Sequence, residues 1–144
     1  MDIIVTTPKS QMRAAAQEAA DCIAAGGGMY FRRFAIRQAP TIVAGDRVYY
    51  VEDGFVRGFA VVSNTMFVSE GKTCDTTGRK WPPGFYVYMD ATNWRWIKPI
   101  PMKGFQGFRY AGRPPGKSVI WVHDKWCDVQ IVGDWRDPKP KARA

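Results

Sequence analysis

The chain is poor in the residues that most catalytic and metal sites require. It has one histidine, His123, and three widely spaced cysteines, Cys22, Cys74 and Cys127. Without a Cys-x-x-Cys pair or a second histidine, the four ligands of a structural zinc site are missing, although His123 and Cys127 stand four apart. Any nucleophilic triad would have to use His123 as its base, and there is no Gly-x-Ser-x-Gly elbow to carry the nucleophile. A Walker-type phosphate loop is also lacking, because Gly26-Gly27-Gly28 follows a helical pattern instead of opening one. The acidic residues Asp46, Glu52 and Asp53 cluster where turns are expected, and Asp90 precedes Ala91-Thr92-Asn93 as a turn cap, so no paired-carboxylate site emerges. No apolar run approaches the roughly 20 residues of a membrane span. The start, Met1-Asp2-Ile3-Ile4, lacks the basic and long apolar regions of a secretory signal. Three unpaired-looking cysteines argue against a disulfide framework and for a reducing, cytoplasmic compartment. The expectation is a chain with no metal, no cofactor and no membrane association.

What the chain does have is aromatic residues and positive charge. It holds 6 Trp, 6 Tyr and 8 Phe in 144 residues, with 46% hydrophobic residues, enough for one domain with a real core. The net charge is +8. Residues 71–117 carry nine basic residues against two acidic ones, together with nine of the aromatics. Basic residues neutralise phosphates and aromatic faces stack on unpaired bases, so this segment points towards nucleic acid.

The patterning predicts one helix followed by strands. Met12, Ala15, Ala16, Ala19, Ala20 and Ile23 recur at helical spacing after Thr7-Pro8, and Gly26-Gly27-Gly28 ends the run, giving a helix over about 8–25. Strands are expected at 3–5, 29–34, 47–51, 55–62, 85–89, 94–98, 118–122 and 129–132. Asp53-Gly54 predicts a tight hairpin between two of them. Residues 63–84 read as a long irregular excursion. The expected architecture is α+β, mainly β. Residues 1–135 form the domain, and residues 136–144 read as a disordered basic tail.

Strand alternation places Arg32 and Arg33 on opposite faces, so only one of them can share a pocket with Tyr30 or Phe34. Trp94 and Trp96 are two apart and share a face, either as a wall that stacks a base or as part of a core.

The order of motifs resembles the PUA-like superfamily, and within it the ASCH domain. The residues that carry the resemblance begin with Ile23-Ala24-Ala25-Gly26-Gly27-Gly28-Met29-Tyr30-Phe31-Arg32-Arg33-Phe34, a helix, a Gly-rich turn and an Arg-bearing strand. Gly45-Asp46-Arg47-Val48-Tyr49-Tyr50-Val51 is a Gly-Asp turn entering a strand, and Phe55-Val56-Arg57-Gly58-Phe59-Ala60-Val61 returns from it with a glycine. Ile100-Pro101-Met102-Lys103-Gly104-Phe105-Gln106-Gly107-Phe108-Arg109 is similar to the Pro-x-x-Gly-x-x-Gly-aromatic segment of that family. The resemblance implies a pseudo-barrel of short, mostly antiparallel strands with the N-terminal helix packed on it, and a basic cleft beside the helix. It also implies RNA binding, with modified bases held in aromatic cages by the related EVE and YTH domains. Some ASCH proteins are amidohydrolases acting on acylated cytidine, with a Lys and a Thr before the Arg-bearing strand. Here Gly27, Gly28, Met29, Tyr30 and Phe31 occupy that stretch, which argues against that activity.

The reading that follows is a non-enzymatic module for nucleic acid, RNA more than DNA, that takes a modified or unpaired base. Arg32, Arg33 and Lys103 are expected on phosphates with Lys98 and Arg109 nearby, Tyr30 in the binding pocket beside the arginine, an aromatic from Trp81, Trp94 or Trp96 on a base, and Gln106 or Asn93 on base edges. Residues 71–84 are expected to be mobile and to close Trp81 over a ligand. The alternatives are an enzyme on RNA or a modified nucleoside, and a protein-interaction module.

Overall fold

The period-two apolar segments each become a strand, and the one helical-period segment becomes the helix. A computed structural model describes residues 1–7, 15–26, 28–68, 72–73, 78, 80–112, 114 and 116–141, with the side chains of 72, 73, 80 and 81 outside the description. The first half holds β1 (Ile3–Thr6), α1 (Ala15–Ala24), β2 (Met29–Phe34), β3 (Arg47–Glu52), β4 (Phe55–Val68) and the short pair β5 (Lys72–Thr73) and β6 (Lys80–Trp81). The second half holds β7 (Gly84–Asp90), β8 (Arg95–Pro101), β9 (Phe108–Tyr110), β10 (Val119–Val122), β11 (Lys125–Asp128) and β12 (Ile131–Asp134). The fold is α+β and mainly β, as the patterning predicts.

The main sheet runs β12-β8-β4-β3-β1-β9, and β7 joins β4 to β2. Its pairings are antiparallel except for β1 with β3. β4 is long enough to serve two neighbourhoods. Its first half pairs with β3 and β8, and its second half with β7, with a register shift between Val62 and Asn64. Such a shift bends a strand, and here it turns the β2–β7 pair over one face of the sheet.

Alternation then builds two cores from the same strands. Ile3, Val5, Val48, Tyr50, Ala60 and Trp94 pack with Ala15, Ala16, Ala19 and Cys22 of the helix and with Tyr30, Phe34 and Met89. Ile4, Tyr49, Val51, Val56, Phe59 and Ile97 point the other way, against Ile120, Val122 and Val129. The alanine face of α1 explains how the helix lies so close to the sheet.

Several expectations hold in detail. β2 spans the residues expected of it, and the Asp53-Gly54 hairpin forms with φ of 51° and 80°. The helix ends where predicted: Gly26 has φ 85° and the Gly28 amide donates to the Cys22 carbonyl at 3.3 Å. Its expected first residues, 8–14, lie outside the described residues.

Other expectations need correcting. Residues 63–68, read as irregular, continue β4. Ser63-Asn64-Thr65 hides this strand because a partly exposed pairing with β7 tolerates polar side chains. β5 and β6, inside the segment read as irregular, are additional strands, as are β9 and β11, and β12 begins at Ile131 instead of residue 129. Where the composition predicts a disordered tail, residues 136–141 lie against the sheet. Arg57 Nη1 donates to the Pro140 carbonyl at 3.0 Å and Trp96 Nε1 to the Asp137 carbonyl at 3.1 Å. Lys139 Nζ stands 3.6 Å from Glu52 Oε2 and 3.5 Å from Asp53 Oδ2. Residues 142–144 lie outside the described residues, and no helix among the described residues is long and apolar enough to cross a membrane.

Candidate functional site

Arg32 leaves β2 on the same side as Tyr30 and Phe34, as alternation requires, and that side faces the helix-covered core. Its guanidinium is half-buried, and its one hydrogen bond among the described residues is a long one, from Nη2 to the Thr6 carbonyl at 3.4 Å. The Phe34 ring centroid lies 6.0 Å from Arg32 Cζ. No carboxylate among the described residues is within ion-pair distance of it. Burial draws its pKa down from the ordinary arginine value, while Tyr50 and the Glu18 carboxylate pull it back up. A guanidinium carries five N–H donors. One weak bond leaves most of them unused in a partly desolvated setting, an arrangement that favours an anion.

Below Arg32 lies a tyrosine pair. Tyr50 donates its hydroxyl to Met89 Sδ at 3.2 Å. The Tyr30 hydroxyl is electrostatically coupled to Tyr50 but has no partner in hydrogen-bond geometry among the described residues. Burial raises the pKa of both phenols well above the usual value, with each tyrosine affecting the other.

Thr6, the last residue of β1, connects Arg32 to a second basic segment. The Thr6 hydroxyl accepts from the Phe105 amide at 3.0 Å, and the loop is pressed so close that a Cβ on Gly104 would stand 3.0 Å from Thr6 Cγ2. Arg109 then lies over the Phe105 ring, Cζ to centroid 4.3 Å, and Phe108 meets Phe34 edge-on at 5.7 Å. Thr6 therefore touches Arg32 through its carbonyl and, through its hydroxyl, the loop that carries Lys103 and Gln106, while Arg109, opposite Ile4 in the β1–β9 pairing, leaves the sheet on the face of Ile4 and Phe105. Lys103, Gln106 and Arg109 are all exposed. Thr6 is the residue that sequence reasoning missed; a threonine at a strand end gives no signal of its own.

The other expected site residues go elsewhere. Arg33 points to the opposite face, where Nε and Nη2 donate to the Pro83 carbonyl at 3.1 and 2.9 Å, so it anchors a loop. Trp94 is 0% and Trp96 4% exposed, packed edge-to-face at 5.7 Å. They share a face as predicted, but that face is the core, and burial leaves neither ring open to a base. Lys98 is exposed on β8, its amide bonded to the Gln130 carbonyl at 2.8 Å, away from the Thr6 cluster in the pairing. Asn93 is exposed in the turn capped by Asp90, whose Oδ1 accepts from the Thr92 amide at 2.9 Å and whose Oδ2 accepts from Asn93 Nδ2 at 3.4 Å. The Trp81 side chain, and residues 71, 74–77 and 79 of the loop expected to close over a ligand, lie outside the described residues. His123 is exposed in the β10–β11 turn, and the described residues hold no group of three or more His, Cys, Asp or Glu that could bind a metal ion.

Compared with known families, with curated proteins and with solved structures, the chain has no match.

Proposed function

We propose that the chain is a non-catalytic, cytoplasmic module that binds single-stranded nucleic acid, RNA in preference to DNA, at the cluster around Thr6. The observation that carries this reading is the Arg32 guanidinium, half-buried and, among the described residues, without a carboxylate partner and held by one long bond to the Thr6 carbonyl. It takes a phosphate. Arg109 and Lys103 take the neighbouring ones, and Phe105 offers the aromatic surface beside them. Gln106, exposed in the same loop, is placed to read a base edge. The likeness of the motif order to ASCH domains supports the same reading, and the preference for RNA and for an unpaired or modified base comes from that likeness.

The test is binding of a labelled single-stranded RNA to the wild-type chain, Arg32→Ala and Arg33→Ala. Arg32→Ala is expected to weaken binding at least about tenfold and to flatten the log-affinity against log-salt plot by about 0.7. Arg33→Ala is expected to leave the slope unchanged. A folded Arg32→Ala protein with wild-type affinity and slope would remove the site. Cleavage of the RNA, or release of an acyl group from a modified nucleoside, would replace the reading with an enzymatic one.

A further inference from the structure

Two tryptophans that the proposed site does not use stand opposite each other on the β10–β11 hairpin. Trp121 and Trp126 are a cross-strand pair with ring centroids 5.0 Å apart and planes at 73°. They are 42% and 49% exposed, in contrast to the sealed Trp94 and Trp96. Indoles are large apolar surfaces, and exposing two side by side leaves an uncovered aromatic patch.

The hairpin that presents them is firmly held. Ile120 and Val122, the neighbours of Trp121 in β10, are buried against the main sheet. The two-residue turn His123-Asp124 has φ of 52° and 60°, the left-handed pair that matches strand twist in tight hairpins. Trp126 rests against Gly112, where a Cβ would be 3.5 Å from its Cη2. The Trp121 amide donates to the Ala111 carbonyl at 2.8 Å, which fastens β10 to the chain that follows the Thr6 cluster.

That chain decides what fits the patch. Residues 103–117 contain Lys103, Arg109, Arg113 and Lys117 and no acidic residue. An aromatic pair joined to an acid-free basic segment complements a polymer with a negative backbone and flat apolar bases. Stacking of this kind tolerates any base, because every base offers a π face.

We infer that Trp121 and Trp126 form a base-stacking platform for single-stranded nucleic acid, a second contact for the strand whose phosphate sits at Arg32. The inference rests on the nucleic-acid reading above. An edge-to-face pair leaves one indole face open to a base while its partner braces the ring from the side.

The experiment uses the full chain and a labelled uridine oligomer of about a dozen nucleotides, within the usual site size of a single-strand binder. Trp121→Ala and Trp126→Ala are each expected to weaken binding about 5- to 100-fold, with Phe at either position restoring most of it. The salt slope is expected to stay at the wild-type value, since stacking releases no counterions, whereas Arg32→Ala flattens it. Unchanged affinity in the double Trp→Ala variant, with Arg32→Ala still impaired, overturns the platform and leaves the Arg32 site standing. A Trp effect without an Arg32 effect overturns the Arg32 site alone. Wild-type protein that binds no oligomer removes both. A wild-type dimer in sedimentation that the Trp variants dissolve overturns the platform in favour of self-association.

Discussion

Gly58 and Trp94 approach so closely that a Cβ on the glycine would lie 2.6 Å from Cζ2 of the indole and 2.5 Å from the Arg95 carbonyl oxygen. β4 has to carry glycine there because the largest fully buried side chain in the described core lies across it. A methyl group at this point has backbone on one side and a rigid ring on the other. Gly58→Ala is therefore expected to lower stability by about 3 kcal/mol, at the upper end of the overpacking range. Urea unfolding monitored by tryptophan fluorescence measures it. A midpoint equal to that of the wild type would contradict the packing.

Much of the frame can be read directly from the residues, and much of the site cannot. β2, the Asp53-Gly54 hairpin and the glycine stop after the helix follow from period, turn chemistry and positive φ, which are local properties. β11 escaped because His123-Asp124 takes the left-handed turn without a glycine, so no turn signal separates β10 from a partner. The tryptophans show the limit most clearly. Alternation places Trp94 and Trp96 on one face, yet which face is covered depends on α1 and on β4 bending over them. The same rule places Trp121 opposite Ile120 and Val122, but only the packing of the hairpin leaves it exposed. Alternation puts Arg32 and Arg33 on opposite faces, but only the fold shows that the Pro83 carbonyl occupies Arg33.

The buried phenols give the chain an alkaline limit. Tyr30 and Tyr50 stay neutral in the fold because burial raises their pKa above the ordinary value of 10.0. Below pH 10 both states hold these protons and the full stability is present. Above it the unfolded chain loses protons that the folded chain keeps. Stability then falls by about 1.4 kcal/mol per pH unit for each such tyrosine. Tyr30→Phe is expected to remove one proton from that dependence. At neutral pH it should change stability by less than about 1 kcal/mol, because the hydroxyl has no partner in hydrogen-bond geometry among the described residues. Urea midpoints at pH 7 and at alkaline pH check both parts, and an unchanged alkaline slope would contradict the assignment.

The segment after Asp134 closes the sheet edge through groups that would otherwise be buried and unpaired. Truncation after Arg136 strips Arg57 of the Pro140 carbonyl, Trp96 of the Asp137 carbonyl and Glu52 of Lys139. Such losses are expected to total about 2–3 kcal/mol, since buried donors left without acceptors carry the full desolvation penalty. Lys139→Ala alone is expected to change stability by less than about 0.5 kcal/mol, because its ammonium is partly in water. Thermal melts of the two variants distinguish a docked strap from a solvated tail. Equal melting of truncated and wild-type chains would contradict the docking.

The central claim is that Arg32, with Lys103 and Arg109, holds the phosphates of a single strand, and salt tests it most directly. Affinity of the wild-type chain for single-stranded RNA, measured across a range of potassium chloride concentrations, is expected to fall with a log–log slope of about −2, for three neutralised phosphates. Arg32→Ala is expected to bring that slope to about −1.4 while the protein remains folded. Affinity that does not change with salt, or a slope that Arg32→Ala leaves at the wild-type value, would contradict it.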